Sequence, residues 1–336
     1  MVAVYPPVAV LVPAFNEATT IGAKLRNLSS STYPGPLRVV VVSDGSVDET
    51  VARVRELRDP RVTLVISPMR RGKMGALNLG MREIHESVVV LTDAQELFAP
   101  DAIRLLVEGL ADPRVGVVSG AVQMIDTHTG FSQNLGAYWT YECWLRRNES
   151  CCGSTMGASG AIYAIRRACF RSLPEDTILD DVALPFEVLR QGYLVKSAPG
   201  AVAFEYATTE PGQEYARKRR TLAGNYQLIS RYRDLLWRRD VAFQFWSHKV
   251  FRLLVPYAMV GAFAGTFGLP PVLLGLSLAA HILFYGLALF AVVARRPIRV
   301  PVLSFPYTFC VLNFAAIAGS YDYLSGRQRG LWERSK

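Results

Sequence analysis

The sequence predicts an α/β domain on a mainly parallel sheet, followed by interfacial and transmembrane helices. Three observations predict it. Short β-branched runs alternate with helical patterns from Val8 onward, several of those runs are apolar at nearly every position, and three apolar stretches of 19, 23 and 21 residues follow. At 336 residues the chain has room for one domain of roughly 200–250 residues and a smaller unit.

Strands are expected at 8–12, 37–43, 62–66, 88–92 and 115–119, with helices near 17–29, 47–58, 73–85 and 102–110. Val39-Val40-Val41-Val42 and Val88-Val89-Val90-Leu91 lack the polar alternation of a half-exposed strand, which implies burial on both faces of a parallel sheet. Ser46 followed three residues later by Glu49 reads as a capping box. In such sheets ligands bind beyond the carboxyl ends of the strands, so the residues just after each strand are the first candidates for a site.

Apolar residues make up 51% of the chain and mean hydropathy is +0.20, yet Asp, Glu, Lys and Arg still supply 19%. A chain that is part soluble and part membrane fits both numbers. Val250–Gly268, Val272–Ala294 and Val300–Ser320 are each long enough to cross about 30 Å of hydrocarbon. Arg252, Arg295, Arg296 and Arg299 would hold their neighbouring ends at the cytosolic side. Three crossings would leave the basic tail Arg327–Lys336 outside, against the charge rule, so two or three spanning helices are expected, with one segment re-entrant or interfacial. Ten Lys or Arg against three acids between Pro211 and Arg252 give a net +7 in 42 residues, within a total of +9. A basic block ahead of an apolar stretch suits an anionic leaflet, and Tyr215, Leu222, Tyr226, Ile229 and Leu236 add the apolar stripe of an interfacial helix. Membrane lipid is therefore an expected partner and nucleic acid is not, since no zinc spacing or RNA-binding aromatic motif accompanies the charge. Met1–Pro7 shows no signal peptide or anchor, which places the first domain in the cytosol. Cys143, Cys151, Cys152, Cys169 and Cys310 form no disulfide framework. The expected division is 1–210 catalytic domain, 211–249 basic interfacial helices, 250–323 membrane segment and 324–336 basic tail.

Polar residues gather at the strand ends. The first strand leads into Pro13, Phe15 and Glu17, and the second into Asp44-Gly45-Ser46. Asp44 could accept a hydrogen bond from a nucleobase and Glu17 could hold the same ring or its ribose; a plain turn and cap explains Asp44-Gly45-Ser46 equally. Gly72-Lys73 opens the helix after the third strand, where backbone donors and a cation suit a diphosphate, and a solvated basic loop is the plainer account. Asp93 follows the fourth strand and could hold ribose or a divalent ion, with Gln95 or Glu96 as a second ligand. Asp180-Asp181 starts an amphipathic helix, where one acid can face a cleft while its neighbour caps, or both can simply favour the helix dipole. Asp181 is the candidate general base. Arg217, Arg220, Gly224 and Gln227 fall on one helix face, from which the two arginines could clamp a diphosphate or meet a membrane surface.

These motifs, in this order, resemble the family 2 inverting glycosyltransferases, in particular the membrane branch of cellulose, hyaluronan and poly-N-acetylglucosamine synthases. Val12-Pro13-Ala14-Phe15-Asn16-Glu17 is similar to the family's opening motif, Ser43-Asp44-Gly45-Ser46 to its base-binding turn, and Gly72-Lys73 with Ala76-Leu77-Asn78 to its diphosphate loop. Asp93-Ala94-Gln95 stands at its Asp-x-Asp, Leu179-Asp180-Asp181 at its Thr-Glu-Asp, and Arg217-Lys218-Arg219-Arg220-Thr221 at its Gln/Arg-x-x-Arg-Trp. The resemblance implies a GT-A nucleotide-sugar-binding fold, Rossmann-like, and inverting transfer from a nucleotide sugar, with UDP the implied nucleotide, to a glycan or lipid hydroxyl. It also implies Asp181 as base, a divalent cation (Mg²⁺ or Mn²⁺) on Asp93, and an acceptor side at Gly157, Ser159, Gly160 and Asp180. The implied place is the inner or plasma membrane, multi-pass, with a cytosolic catalytic domain. Two departures stand out. Gln95 replaces the second Asp, which weakens the metal site, and Thr221 replaces Trp, which favours adding one or a few sugars over polymerisation. A polyprenyl-phosphate acceptor and a non-catalytic nucleotide-sugar-binding subunit are the competing readings.

Overall fold

The computed structural model describes residues 5–125, 142–206, 211–293 and 301–326. Eight strands form one sheet in the order β3-β2-β1-β4-β7-β6-β8-β5. In chain order these are β1 Val8–Ala14, β2 Leu37–Asp44, β3 Val62–Ser67, β4 Val88–Leu91, β5 Leu97–Phe98, β6 Val115–Ile125, β7 Tyr163–Arg166 and β8 Leu194–Tyr206. The helices between them are α1 Ile21–Ser29, α2 Thr50–Glu56, α3 Lys73–Arg82, α4 Ala102–Gly109, α5 at 142–152 and α6 Asp180–Arg190.

β3, β2, β1 and β4 run parallel, as do β6 and β8, while β7 lies antiparallel between β4 and β6. The sheet is therefore mixed, with its first half the doubly covered parallel array that the valine runs predict. Strand periodicity explains those runs: Val40 and Val42 face one apolar core with α3 and α6, Val39 and Val41 the other with α1 and α4. Each fully buried aliphatic side chain contributes about 1.5–3 kcal/mol of burial free energy, so helices on both faces hold the strand ends in fixed relation.

One predicted helix start is displaced. Ser46 and Glu49 do not cap: α2 begins at Thr50, whose N–H donates to Asp48 Oδ1 at 3.0 Å, while Ser46 Oγ accepts from Asn16 N at 3.2 Å. With Ala18 N to Asp48 Oδ2 and Glu17 N to Thr50 Oγ1, the polar residues after β1 and β2 knit the two turns together.

Beyond the sheet lie α7 Pro211–Arg231, α8 Ala242–Phe245 running through a π-helical turn Trp246–Val250 into α9 Phe251–Thr266, then α10 Pro271–Val293 and α11 Pro301–Leu324. The apolar stripe of α7 does not face outward as an interfacial helix would. Leu222, with Tyr215, Tyr226 and Ile229, packs on Leu253 of α9 and Ala315 and Ala316 of α11. A Cβ on Gly319 would lie 2.9 Å from Ala223 N, so α11 and α7 touch backbone to backbone. Among the described residues, one helix, α10, is long and apolar enough to cross a membrane. The expected first crossing corresponds to α9 Phe251–Thr266, which continues the helical run from Ala242. The expected third, α11, carries Asn313 and a buried Asp322 that pairs with Arg219 of α7. Arg295, Arg296 and Arg299, and the tail from Arg327, lie outside the described residues.

Candidate active site

The carboxyl ends of β1, β2 and β4 share one edge of the sheet, and the N-termini of α3 and α6 point at it. Gly72, at φ +83°, turns the chain into α3, so Lys73 is the first helical residue. Its Nζ lies 2.7 Å from Asp93 Oδ1 and 3.3 Å from Asp180 Oδ2. Burial would lower the Lys73 pKa, but Asp180, Asp93 and Asp181 outweigh it and hold the ammonium well above its usual range. Asp180 is 5% exposed; burial first, then the charges of Asp181 and Asp93, push its carboxyl up to about 6 despite Lys73. Three acids from β4 and α6 thus surround one lysine. That leaves an excess of negative charge, which a divalent cation arriving with a diphosphate would offset.

Asp181 is fixed by a proline. Pro185 has no N–H to bond the carbonyl four residues earlier, and Asp181 O instead accepts from Ala158 N at 2.8 Å. The loop so anchored brings Gly160 under the Asp181 carboxylate: a Cβ there would sit 3.3 Å from Oδ2. Gly157, at φ +128°, faces Val182. Ser159 is buried, its N–H bonded to Ser119 Oγ, and so serves the loop more than the cleft. Below the acids, Tyr163 of β7 is opposite Leu91 of β4, fully buried, and its hydroxyl has no partner among the described residues. Burial and the charges of Asp180, Asp181 and Asp93 raise its pKa well above the usual value.

α7 reaches the same place from the other side. Gln227 Oε1 accepts from Ile178 N at 3.0 Å, its Nε2 donates to Asp176 O at 2.9 Å, and Arg220 Nη2 donates to Ile178 O at 3.3 Å. A Cβ on Gly224 would stand 2.5 Å from Leu179 Cγ, so only glycine lets the helix approach the turn ahead of Asp180. The face predicted for Arg217, Arg220, Gly224 and Gln227 is thereby realised in three of its four members. Arg217 turns to Glu205 at the end of β8, 2.8 Å away, and Arg220 Nε is buried without a partner.

Asp44 lies deep at the end of β2. It is fully buried, and its two oxygens accept from Arg71 N and Gly72 N, both at 2.8 Å. A Cβ on Gly45 would clash with Arg70 N at 2.8 Å. These residues hold the 70–72 loop in place, and at its rim Arg70 stacks on Phe15, 4.0 Å from the ring. Pro13 lies buried in β1 beside Val42, and Glu17 is 9% exposed, bonded by Thr20 Oγ1.

For a metal, Asp93 offers a hard oxygen donor with a third of its side chain open, and Gln95 is exposed next to it. Glu96, the alternative second ligand, is buried. It is 3% exposed, bonded by Gln95 Nε2, and burial raises its pKa; on the same inward side the fully buried Lys24 donates to Thr92 Oγ1 and Glu96 O. No group of three metal-ligating acids, histidines or cysteines exists among the described residues. One open carboxylate fits a divalent ion that arrives bound to diphosphate, since Mg²⁺-type sites use one or two carboxylates plus phosphate oxygens.

Comparison with known proteins places this geometry. A family model described as glycosyltransferase like family 2 matches residues 6–224. An N-acetylglucosaminyltransferase of Rhizobium meliloti is 31% identical over 223 residues, 59% of this chain and 50% of that protein. A poly-beta-1,6-N-acetyl-D-glucosamine synthase of Staphylococcus aureus is 23% identical over 232 residues, 66% and 55% respectively. The chain spans about half the length of these curated relatives. A mannosyltransferase from Pyrobaculum calidifontis, solved with GDP-Man and Mn²⁺, is 26% identical with a TM-score of 0.74, covering 97% of this chain and 90% of that one.

Proposed function

Because this chain belongs to glycosyltransferase family 2, we propose that it transfers a sugar from a nucleoside diphosphate to an acceptor hydroxyl with Asp181 as general base. The observation that carries the reading is the convergence on Lys73 of acids from separate elements, with Asp93 at 2.7 Å, Asp180 at 3.3 Å and Asp181 next in the chain, packed on Gly160. Asp181 takes the proton from the acceptor hydroxyl as its oxygen attacks the anomeric carbon. The carbon–oxygen bond to diphosphate breaks, and its electron pair leaves with the phosphate. A single displacement of this kind inverts the anomeric configuration.

Lys73, at the dipole-positive start of α3, and Arg217 and Arg220 of α7 are the cations for the departing diphosphate. Asp93, with the Gln95 amide oxygen, would hold a divalent ion, which when bound supplies charge neutralisation between the two phosphates. Phe15, Pro13 and Glu17 line the base side, and Asp44 shapes it by holding the 70–72 loop. Gly157, Gly160 and Asp180 form the acceptor side, and Ser159 supports it by holding the loop on Ser119. UDP-sugars are the first donors to test, and GDP-mannose is second because of the mannosyltransferase neighbour. The chain sits at a membrane through α10, with the sheet domain at the cytosolic face.

Asp181→Asn tests the base directly. Transfer is expected to fall by roughly 10²–10⁴-fold while nucleotide-sugar affinity, followed by thermal stabilisation with Mn²⁺ or Mg²⁺ present, stays at the parent value. Undiminished transfer in this variant removes Asp181 from the role.

A further inference from the structure

A second set of charges meets beside Asp181, and no donor group claims it. Helix α5 docks on the turn Trp246–Val250 and the start of α9 through two ion pairs, Glu142 to Arg252 at 2.6 Å and Glu149 to His248 Nδ1. Residues 142, 146 and 149 share one helix face. Arg146 therefore stands between the two acids and faces the turn that carries Lys249. Both cations are half-buried, and among the described residues neither has a hydrogen-bond or ion-pair partner.

That arrangement is costly, because two like charges are partly withdrawn from water with no counter-charge in contact among the described residues. Burial, helped by Arg252 and Arg146, brings the Lys249 ammonium down to about 8, with Asp181 and Glu142 opposing the shift from beyond contact distance. Other withdrawn cations of this chain are compensated: Lys73 by Asp93 and Asp180, Arg217 by Glu205, Arg219 by Asp322. The pair also connects to the base. Glu149 accepts from Met156 N at 3.4 Å, and the chain then runs through Gly157–Gly160 onto Asp181.

We propose that Arg146 and Lys249 form an acceptor subsite for a phosphate group carried by the hydroxyl-bearing acceptor, a proposal that rests on Asp181 being the base. A guanidinium fork and an ammonium together supply two positive charges, matching the −1.5 to −2 of a phosphate monoester at about neutral pH. The acceptor phosphate is held and unchanged. Its hydroxyl oxygen bonds to the anomeric carbon, the proton passes to Asp181, and the nucleoside diphosphate leaves with the electron pair. A soluble sugar phosphate and a sugar linked through diphosphate to a lipid both carry close to two negative charges.

The test uses the full chain in detergent with three acceptors of one sugar: its 1-phosphate, its short-chain isoprenyl diphosphate, and its octyl glycoside. The parent is expected to favour at least one phosphorylated acceptor by about tenfold in kcat/KM over the glycoside, roughly the effect of 1.4 kcal/mol. That ratio should fall to about one in Arg146→Ala with Lys249→Ala and return in the charge-conserving pair Arg146→Lys with Lys249→Arg. Preference for the isoprenyl acceptor alone identifies a lipid source; preference for both identifies the phosphate itself. A parent that does not discriminate, or an alanine pair that still does, overturns the subsite. Thermal stabilisation by the sugar 1-phosphate, lost in the alanine pair and kept in Arg217→Ala with Arg220→Ala, reads binding apart from turnover. If the parent cleaves no nucleotide sugar even with water as acceptor, the donor and base assignments fail, and this binding comparison still decides the subsite.

Discussion

Asp180 shows how the site is stabilised against itself. Its carboxyl titrates near 6 in the fold because burial, Asp181 and Asp93 disfavour its charge more than Lys73 favours it. A group whose folded pKa lies above its unfolded value adds stability at low pH, and that contribution disappears as pH rises from about 4 through about 6. Asp180→Asn should therefore gain on the parent by on the order of 2 kcal/mol between pH 4.5 and pH 7.5. Melting temperatures across that range check this; a variant that loses on the parent over it would mean that the Lys73 pairing dominates. The candidate residues themselves were legible because strand ends in an α/β sheet are where polar residues stand out. Tyr163 and Lys24 were not: a tyrosine inside a strand and a lysine in a helical stripe look like ordinary sheet and surface residues. Only three-dimensional register puts Tyr163 below the acids and Lys24 inside the core. Pro185, four residues after Asp181, was a usable signal, since a helical proline always frees one carbonyl.

At the level of elements, α7 decides where the acids stand. Its contact with the 176–179 turn is made at Gly224, Gln227 and Arg220, and the first of these has no room for a side chain. Gly224→Ala should displace the turn or the helix, at about 1–3 kcal/mol of stability. Transfer should drop more than nucleotide-sugar affinity, because Asp180 and Asp181 move while α3 and Lys73 do not. Paired melting and titration measurements test it, and a variant with parental turnover would show that the acid turn does not depend on this contact. Periodicity placed most helices and the first strands, whereas β5 and β8 went unseen. β8 contains Lys196, Pro199 and Gly200, so it lacks the apolar run that marks β2 and β4. The displaced start of α2 has a similar cause: Ser46 and Asp48 both suit a cap, and the bond from Asn16, thirty residues away, takes Ser46 out of contention.

For the whole molecule, the apolar surface outside the sheet domain sets its place. Val272, Leu276, Ile282, Leu283 and Leu289 of α10 are all more than half exposed, a continuous greasy face that water does not favour. Membrane fractionation should recover the chain with the bilayer after alkaline washing. Leu276→Arg with Leu283→Arg, at about 2.5–3.5 kcal/mol per charge near a bilayer centre, should move it to the soluble or aggregated fraction; unchanged fractionation would argue against α10 as the anchor. Hydropathy alone could not weigh α9 and α11, because their apolar residues are partly used against α7. That shared contact couples two regions that seem separate in the chain. α7 grips the acid turn through Gly224 and grips α11 through Gly319 and the Arg219–Asp322 pair. On the proposed membrane anchoring, squeezing or thinning the surrounding lipid would pull on the same lever that sets the proposed catalytic carboxylates, and turnover would then gauge how the apolar helices are seated.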